Sequence, residues 1–184
     1  MQLRDNGLRF SPITVALHWV VAALLFAIAG LWTGIALASD GGTRTALAQM
    51  QNLLGTMLFL VSLYRFWARI SSYHPLPVGT PNPMEVIISR SVAVGLALAM
   101  VLLPIAVWLS KSAGGEVIGL PGGFAIPALT APNDQVKRLV DVLFNIGATA
   151  FCAGLALHMF GALKNHFLLK NDALKRMLGK HVEL

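Results

Sequence analysis

The sequence predicts an all-α protein, a transmembrane four-helix bundle with up-down-up-down topology. Three observations carry this. First, 56% of the 184 residues are hydrophobic and only 12% are charged, where a soluble domain carries about 25% charge. Mean hydropathy is +0.70. Second, four stretches lack Asp, Glu, Lys and Arg altogether: 10–39, 45–64, 91–110 and 142–163. A helix needs roughly 20 apolar residues to cross the hydrocarbon core, and lipid offers backbone groups no partners outside a helix. Third, the basic residues distribute unevenly over the segments between those runs. These features exclude a soluble enzyme, a disordered tail and a nucleic-acid binder. The single cysteine, Cys152, excludes an internal disulfide, an iron–sulfur cluster and a thiolate zinc site.

The runs place spans near 13–38, 47–70, 87–109 and 139–166, in one domain covering 1–184. The first begins at about Pro12. Arg4 and Arg9, the long apolar stretch and Ala36-Leu37-Ala38 before Ser39 resemble a signal peptide. The apolar stretch exceeds the usual 7–15 residues, so the segment reads as a retained span. A fifth charge-free run, 117–133, reads VIGLPGGFAIPALTAPN. Its prolines and glycines disfavour a helix. It is expected to form a compact loop within about 110–137 that either simply caps the bundle or, through Val117 to Leu129, offers an apolar docking surface.

Placing both termini on one side gives that side ten basic residues: Arg4, Arg9, Arg65, Arg69, Arg90, Lys164, Lys170, Lys175, Arg176 and Lys180. The other side holds Arg44, Lys111, Lys137 and Arg138. The acids divide evenly. The positive-inside rule then makes both termini cytoplasmic and the Gly/Pro-rich loop external.

Five histidines exist. His74, in a Pro-rich loop, and His181, in the tail, read as exposed and without a role. His18 and His158 lie inside charge-free runs, where a polar side chain is costly and marks a candidate site. His18 follows Pro12 by six residues and His158 precedes Lys164 by six. Each lies about 9 Å below the cytoplasmic boundary at 1.5 Å per residue. Two imidazoles at one depth on different helices suit axial ligation of a haem. Two such ligands fill the iron's open positions, which makes an electron carrier rather than an oxygen binder. The plainer alternative is a hydrogen bond from each histidine to a neighbouring helix. His166, near the water, reads as an interfacial histidine or a contact to a quinone head group. Arg65, Arg69 and Arg90 fall near the expected haem. Arg65 or Arg69 would pair with its propionates, since guanidinium matches a carboxylate; alternatively they are positive-inside anchors.

These residues together resemble the bacterial cytochrome b561 family of four-helix, inner-membrane, di-haem cytochromes. The resemblance runs through Ser11-Pro12 and Ala16-Leu17-His18-Trp19, Arg65 with Arg69, Pro104, Gly119-Leu120 with Pro127, Leu157-His158, His166-Phe167 and the tail Lys170-Asn171-Asp172-Ala173-Leu174-Lys175-Arg176-Met177. It implies four ligating histidines, two per haem. His18 and His158 match the cytoplasmic-side pair. The other pair fails, because its positions hold Gln51 and Phe144. Phe cannot coordinate, and Gln is a weak oxygen donor. Met50 or Met57 could supply one ligand, but Phe144 leaves nothing opposite. One haem b is therefore expected, on the cytoplasmic side.

The resemblance implies electron transfer with a quinone such as ubiquinone. The leading reading is a membrane b-type cytochrome carrying electrons through one bis-His haem. A second is an accessory subunit of a larger respiratory complex, docked to a partner redox subunit and holding its haem structurally. A third is a superoxide:ubiquinone oxidoreductase. For that one, the outer basic residues are balanced by as many acids, which leaves no patch to steer an anion. The expected surroundings are the lipid of a bacterial inner membrane.

Overall fold

The computed structural model describes residue 5 and residues 10–71 and 82–179. His74 and His181, with Arg4, Arg9 and Lys180, lie outside the described residues. The fold is an all-α helical bundle with four long helices: α1 (Pro12–Leu37), α2 (Gly41–Ser71), α3 (Pro83–Ala113) and α4 (Asp134–Leu163). A short α5 covers Ala173–Met177. Each long helix is long and apolar enough to cross a membrane.

Local chemistry sets the helix starts. Ser11 caps α1: its Oγ accepts from the Thr14 N–H at 3.1 Å, and its own N–H donates to Asp5 Oδ1 at 2.7 Å. Pro12 follows at the first helical position, where no N–H is required. Asp40 caps α2 through the Thr43 N–H at 2.7 Å, which holds the Asp40 carboxyl below the usual carboxylate range. Asn82 and Asn133 cap α3 and α4 in the same way.

α3 stops in a Schellman motif. The Glu116 N–H reaches back to the Lys111 carbonyl at 2.9 Å and the Gly115 N–H to Ser112 at 3.0 Å, with Gly115 at φ 79°. Only a glycine adopts that φ without strain.

α2, α3 and α4 overrun the expected spans. α2 begins at Gly41 rather than 47, α3 runs from 83 to 113 rather than 87 to 109, and α4 begins at 134 rather than 139. The overhanging turns carry Arg44, Glu85, Lys111 and Lys137. Charge marks where hydrocarbon ends, whereas caps mark where a helix ends.

The Gly/Pro-rich loop is a small β-structured segment. β1 (Ile118–Gly119) pairs antiparallel with β2 (Ala125–Ile126) across a 3-10 turn at Pro121–Gly123. Side chains tie it to the helices. Asn52 Nδ2 donates to the Gly119 carbonyl at 2.9 Å, Trp108 Nε1 to Pro127 at 2.8 Å, and the Leu129 N–H to Ser112 Oγ at 2.9 Å.

The helices group into two compact units. One takes in Met1–Trp19, Leu63–Ala99 and Thr149–Leu184; the other takes in Val20–Ser62 and Met100–Ala148. Little of either is sealed from the outside: among the described residues the buried apolar ones are Val21, Leu58, Leu96, Ala113, Ile118 and Val140. Large side chains such as Phe26, Trp32, Phe160 and Ile146 stand exposed. In water so much exposed apolar surface would drive association; in lipid it is the expected exterior.

Candidate functional site

The first unit brings the two intramembrane histidines together. α1 carries His18 two turns past its Ser11 cap, and α4 carries His158 near its C-terminal end. The two imidazole centroids lie 6.1 Å apart with the rings tilted by 57°. A metal–imidazole bond is about 2 Å long and the ligating nitrogen lies about 1 Å from the ring centre, so two imidazoles sharing one metal have centroids roughly 6 Å apart. The observed spacing fits a single iron between them. Among the described residues, no three His, Cys, Asp or Glu side chains converge to hold an ion unaided. A two-histidine donor set suits a porphyrin, which brings its own four nitrogens. His158 is exposed within its helix. A bare imidazole at membrane depth is costly, so a ligand role also accounts for its survival there.

Arg65 sits beside the pair. Its Nη1 donates to the backbone carbonyl of Leu17, the residue before His18, at 3.0 Å. It lies within electrostatic reach of both imidazoles. Its hydrogen bond uses one of five guanidinium N–H groups, so it fixes α2 against α1 at the histidine level and retains donors for a carboxylate. Arg69, one turn further on the same face of α2, lies within electrostatic reach of Arg90 and Asp5. Arg65 thus joins the histidine pair, while Arg69 belongs to a basic cluster at the helix end.

Three contacts around the pair were not legible in the sequence. Trp19 packs edge-on against His18 at 5.4 Å. Its Nε1 donates to the Met177 carbonyl at 2.7 Å, which pins α5 to α1. α4 does not end cleanly but passes into a π turn at Lys164–Leu168. The Asn165 side chain organises that turn: its Nδ2 donates to the Gly161 carbonyl at 2.8 Å and its Oδ1 accepts from Asn171 Nδ2 at 2.6 Å. His166 lies in this turn, with its ring against Phe167 at 4.8 Å. The nearest signals in the sequence were Trp19, adjacent to His18, and the two asparagines; backbone carbonyl acceptors leave no trace there.

The positions expected to hold a second pair are occupied otherwise. Gln51 Nε2 donates to the Ile28 carbonyl on α1 at 3.3 Å. Phe144 lines a cavity of about 230 Å³ together with Val107, Ser110, Lys111, Glu116, Lys137 and Asp141. Met50 and Met57 are exposed. In the outer loop, Val117, Phe124 and Leu129 are exposed, Phe124 by 72%.

Comparison with known proteins places these features in a family. The model of the prokaryotic cytochrome b561 family matches residues 9–180. Cytochrome b561 homolog 2 of Escherichia coli (strain K12) is 30% identical over 182 residues, which covers 98% of this chain and 96% of that protein.

Proposed function

The chain belongs to the prokaryotic cytochrome b561 family, a family of multi-pass bacterial membrane b-type cytochromes in electron transfer, and on that premise we propose that it carries electrons through a single bis-His haem b near the cytoplasmic side and exchanges them with a quinone. The observation that carries this reading is the 6.1 Å spacing of His18 and His158. A bound haem supplies a one-electron iron couple. The residues supply the rest. His18 and His158, on two different helices, would hold the iron of such a haem and leave it no open position for small oxidants. Arg65, fixed through Leu17, offers a guanidinium to a propionate, and Arg69 one turn on offers a second. Gln51 and Phe144 provide no ligands, which supports one haem rather than two. The positive-inside asymmetry supports cytoplasmic termini.

The proposal is tested by a pyridine haemochrome assay on the purified protein together with its low-temperature spectrum. One low-spin haem per chain is expected; two haems, or a high-spin spectrum, would overturn it. A reading as an accessory subunit of a respiratory complex draws support from the exposed Val117, Phe124 and Leu129 on the ordered outer loop. Co-purification in mild detergent separates the two, since only the accessory subunit requires a stable partner.

A further inference from the structure

The cavity at Phe144 has a second feature that the haem reading does not use. Four charged side chains of alternating sign rim it, and all lie in the second unit. Lys111 Nζ meets Glu116 Oε2 at 2.6 Å, and Lys137 Nζ meets Asp141 Oδ2 at 2.6 Å. Ser110 Oγ donates to the other oxygen of Asp141. The floor is apolar, from Val107 and Phe144. The cavity lies where α3 ends and α4 begins, and both helices are long and apolar enough to cross a membrane.

These groups are held in place by the backbone. The Schellman turn sets Glu116 against Lys111, and Gly114 lets the Lys137 stem lie close: a Cβ at 114 would come within 3.3 Å of Lys137 Cε. The Asn133 N–H donates to the Ala113 carbonyl at 2.8 Å and joins the end of α3 to the start of α4. Lys137 and Asp141, four residues apart, share a helix face.

The charge pattern selects the ligand. A simple anion finds each lysine already neutralised by a carboxylate, and a simple cation finds each carboxylate neutralised by a lysine. A molecule carrying both charges can exchange with the pairs. Both pairs are about half exposed, and such pairs are worth little, so opening them costs little. A phosphate would take the lysines and the Ser110 hydroxyl, and a primary ammonium would take Glu116 and Asp141. The volume is below the roughly 300–1,000 Å³ of drug-sized sites, which suits a small headgroup. A cavity at the ends of two membrane-crossing helices lies at the depth of lipid headgroups.

We propose that this cavity binds the headgroup of a zwitterionic phospholipid bearing a primary ammonium, phosphatidylethanolamine, drawn from the membrane leaflet beside α3 and α4. The proposal does not rest on haem binding at the His18–His158 pair, because none of its residues lies there.

The test reconstitutes the full-length protein in vesicles of equal phosphatidylethanolamine and phosphatidylglycerol, extracts it gently, and reads retained lipid by native mass spectrometry. One retained phosphatidylethanolamine is expected, with at least fivefold preference over phosphatidylglycerol. Phosphatidylcholine, whose quaternary ammonium has no N–H to donate, should be retained less. Glu116→Gln and Lys137→Met should each reduce the preference at least threefold, with the haem spectrum and the melting temperature reporting that the fold is kept. Equal retention of the two lipids, a preference for phosphatidylglycerol, or a preference unchanged in both variants would overturn the proposal. So would binding of free phosphoethanolamine without any retained lipid, which would make the site one for a soluble zwitterion.

Discussion

Replacing His158 tests the ligand assignment most directly, because the geometry leaves no substitute. On that assignment His158→Ala would leave the haem with one of its two protein ligands. Moving an imidazole to the next residue, Met159→His in the same background, does not restore it. One residue along a helix turns a side chain by about 100°, and at a radius of about 5–6 Å that carries the ring roughly 8 Å away. This exceeds the whole 6.1 Å that separates His18 from His158. Low-spin haem per chain should therefore fall at least tenfold in His158→Ala, about 1.4 kcal/mol of binding or more, and stay low in the double variant. Free imidazole at millimolar concentration should recover the low-spin spectrum, because it can enter the space the ring leaves. The same holds for His18→Ala. His166→Ala should keep its haem, since that ring lies in the π turn against Phe167. The assays are pyridine haemochrome for content and the α-band for spin state. A stoichiometric low-spin haem in His158→Ala, rescue by Met159→His, or loss of haem in His166→Ala would refute the reasoning.

Four further outcomes are expected. The double variant Gln51→His with Phe144→His should still bind one haem, measured by haemochrome, because the cavity at Phe144 is about 230 Å³ and rimmed by ion pairs. Ser11→Ala should lower stability by about 1 kcal/mol through loss of the α1 cap, seen as a fall of about 2–4 °C in the melting temperature. Trp19→Phe removes the donor to Met177 and costs about 0.5–1.5 kcal/mol; limited proteolysis should cut ahead of α5 sooner than in the wild type. The Lys111 hydrogen bond holds the Glu116 carboxyl below the usual glutamate range, so its contribution is complete above the unfolded-state value and is lost as pH falls through the folded one. The stability advantage of wild type over Glu116→Gln, read from melting temperature against pH, should therefore be small, because the pair is exposed, present at neutral pH and lost in acid.

The fold class and the four long helices were legible because lipid leaves a single solution for a charge-free run of such length. Helix limits were less so. The caps at Asp40, Asn82 and Asn133 lie outside the charge-free cores, and the charges in the added turns fall beyond the hydrocarbon. The loop reading was right in excluding a helix, yet β1 and β2 are two residues each, too short for periodicity to register. At the site, equal depth for His18 and His158 followed from counting residues back to Pro12 and Lys164, and the structure places their rings side by side. Counting could not separate Arg65 from Arg69, because both lie on one face of α2. Only the bond to Leu17 distinguishes the residue at the histidine level from its neighbour one turn on. The cavity around Phe144 was invisible for a similar reason: Lys111 and Glu116 meet through a turn whose backbone bonds leave no pattern beyond Gly114-Gly115.

The two absent ligands bear on how such a protein can work. A relay across a bilayer needs a redox centre within reach of each face. Gln51 does more than fail to coordinate: its amide is used to bridge α2 to the Ile28 carbonyl, so restoring a histidine there would also cost a helix–helix bond. Phe144 likewise forms the floor of a cavity with its own charged rim. Both positions have other structural work, as the proposed single-haem reading expects. On the single-haem reading, donor and acceptor must then both approach the His18–His158 side, where Arg65, Arg69 and Arg90 gather. Electrons would enter and leave beside that pair, which leaves the ion-paired cavity and the ordered apolar loop of the second unit for attachment to lipid or a partner.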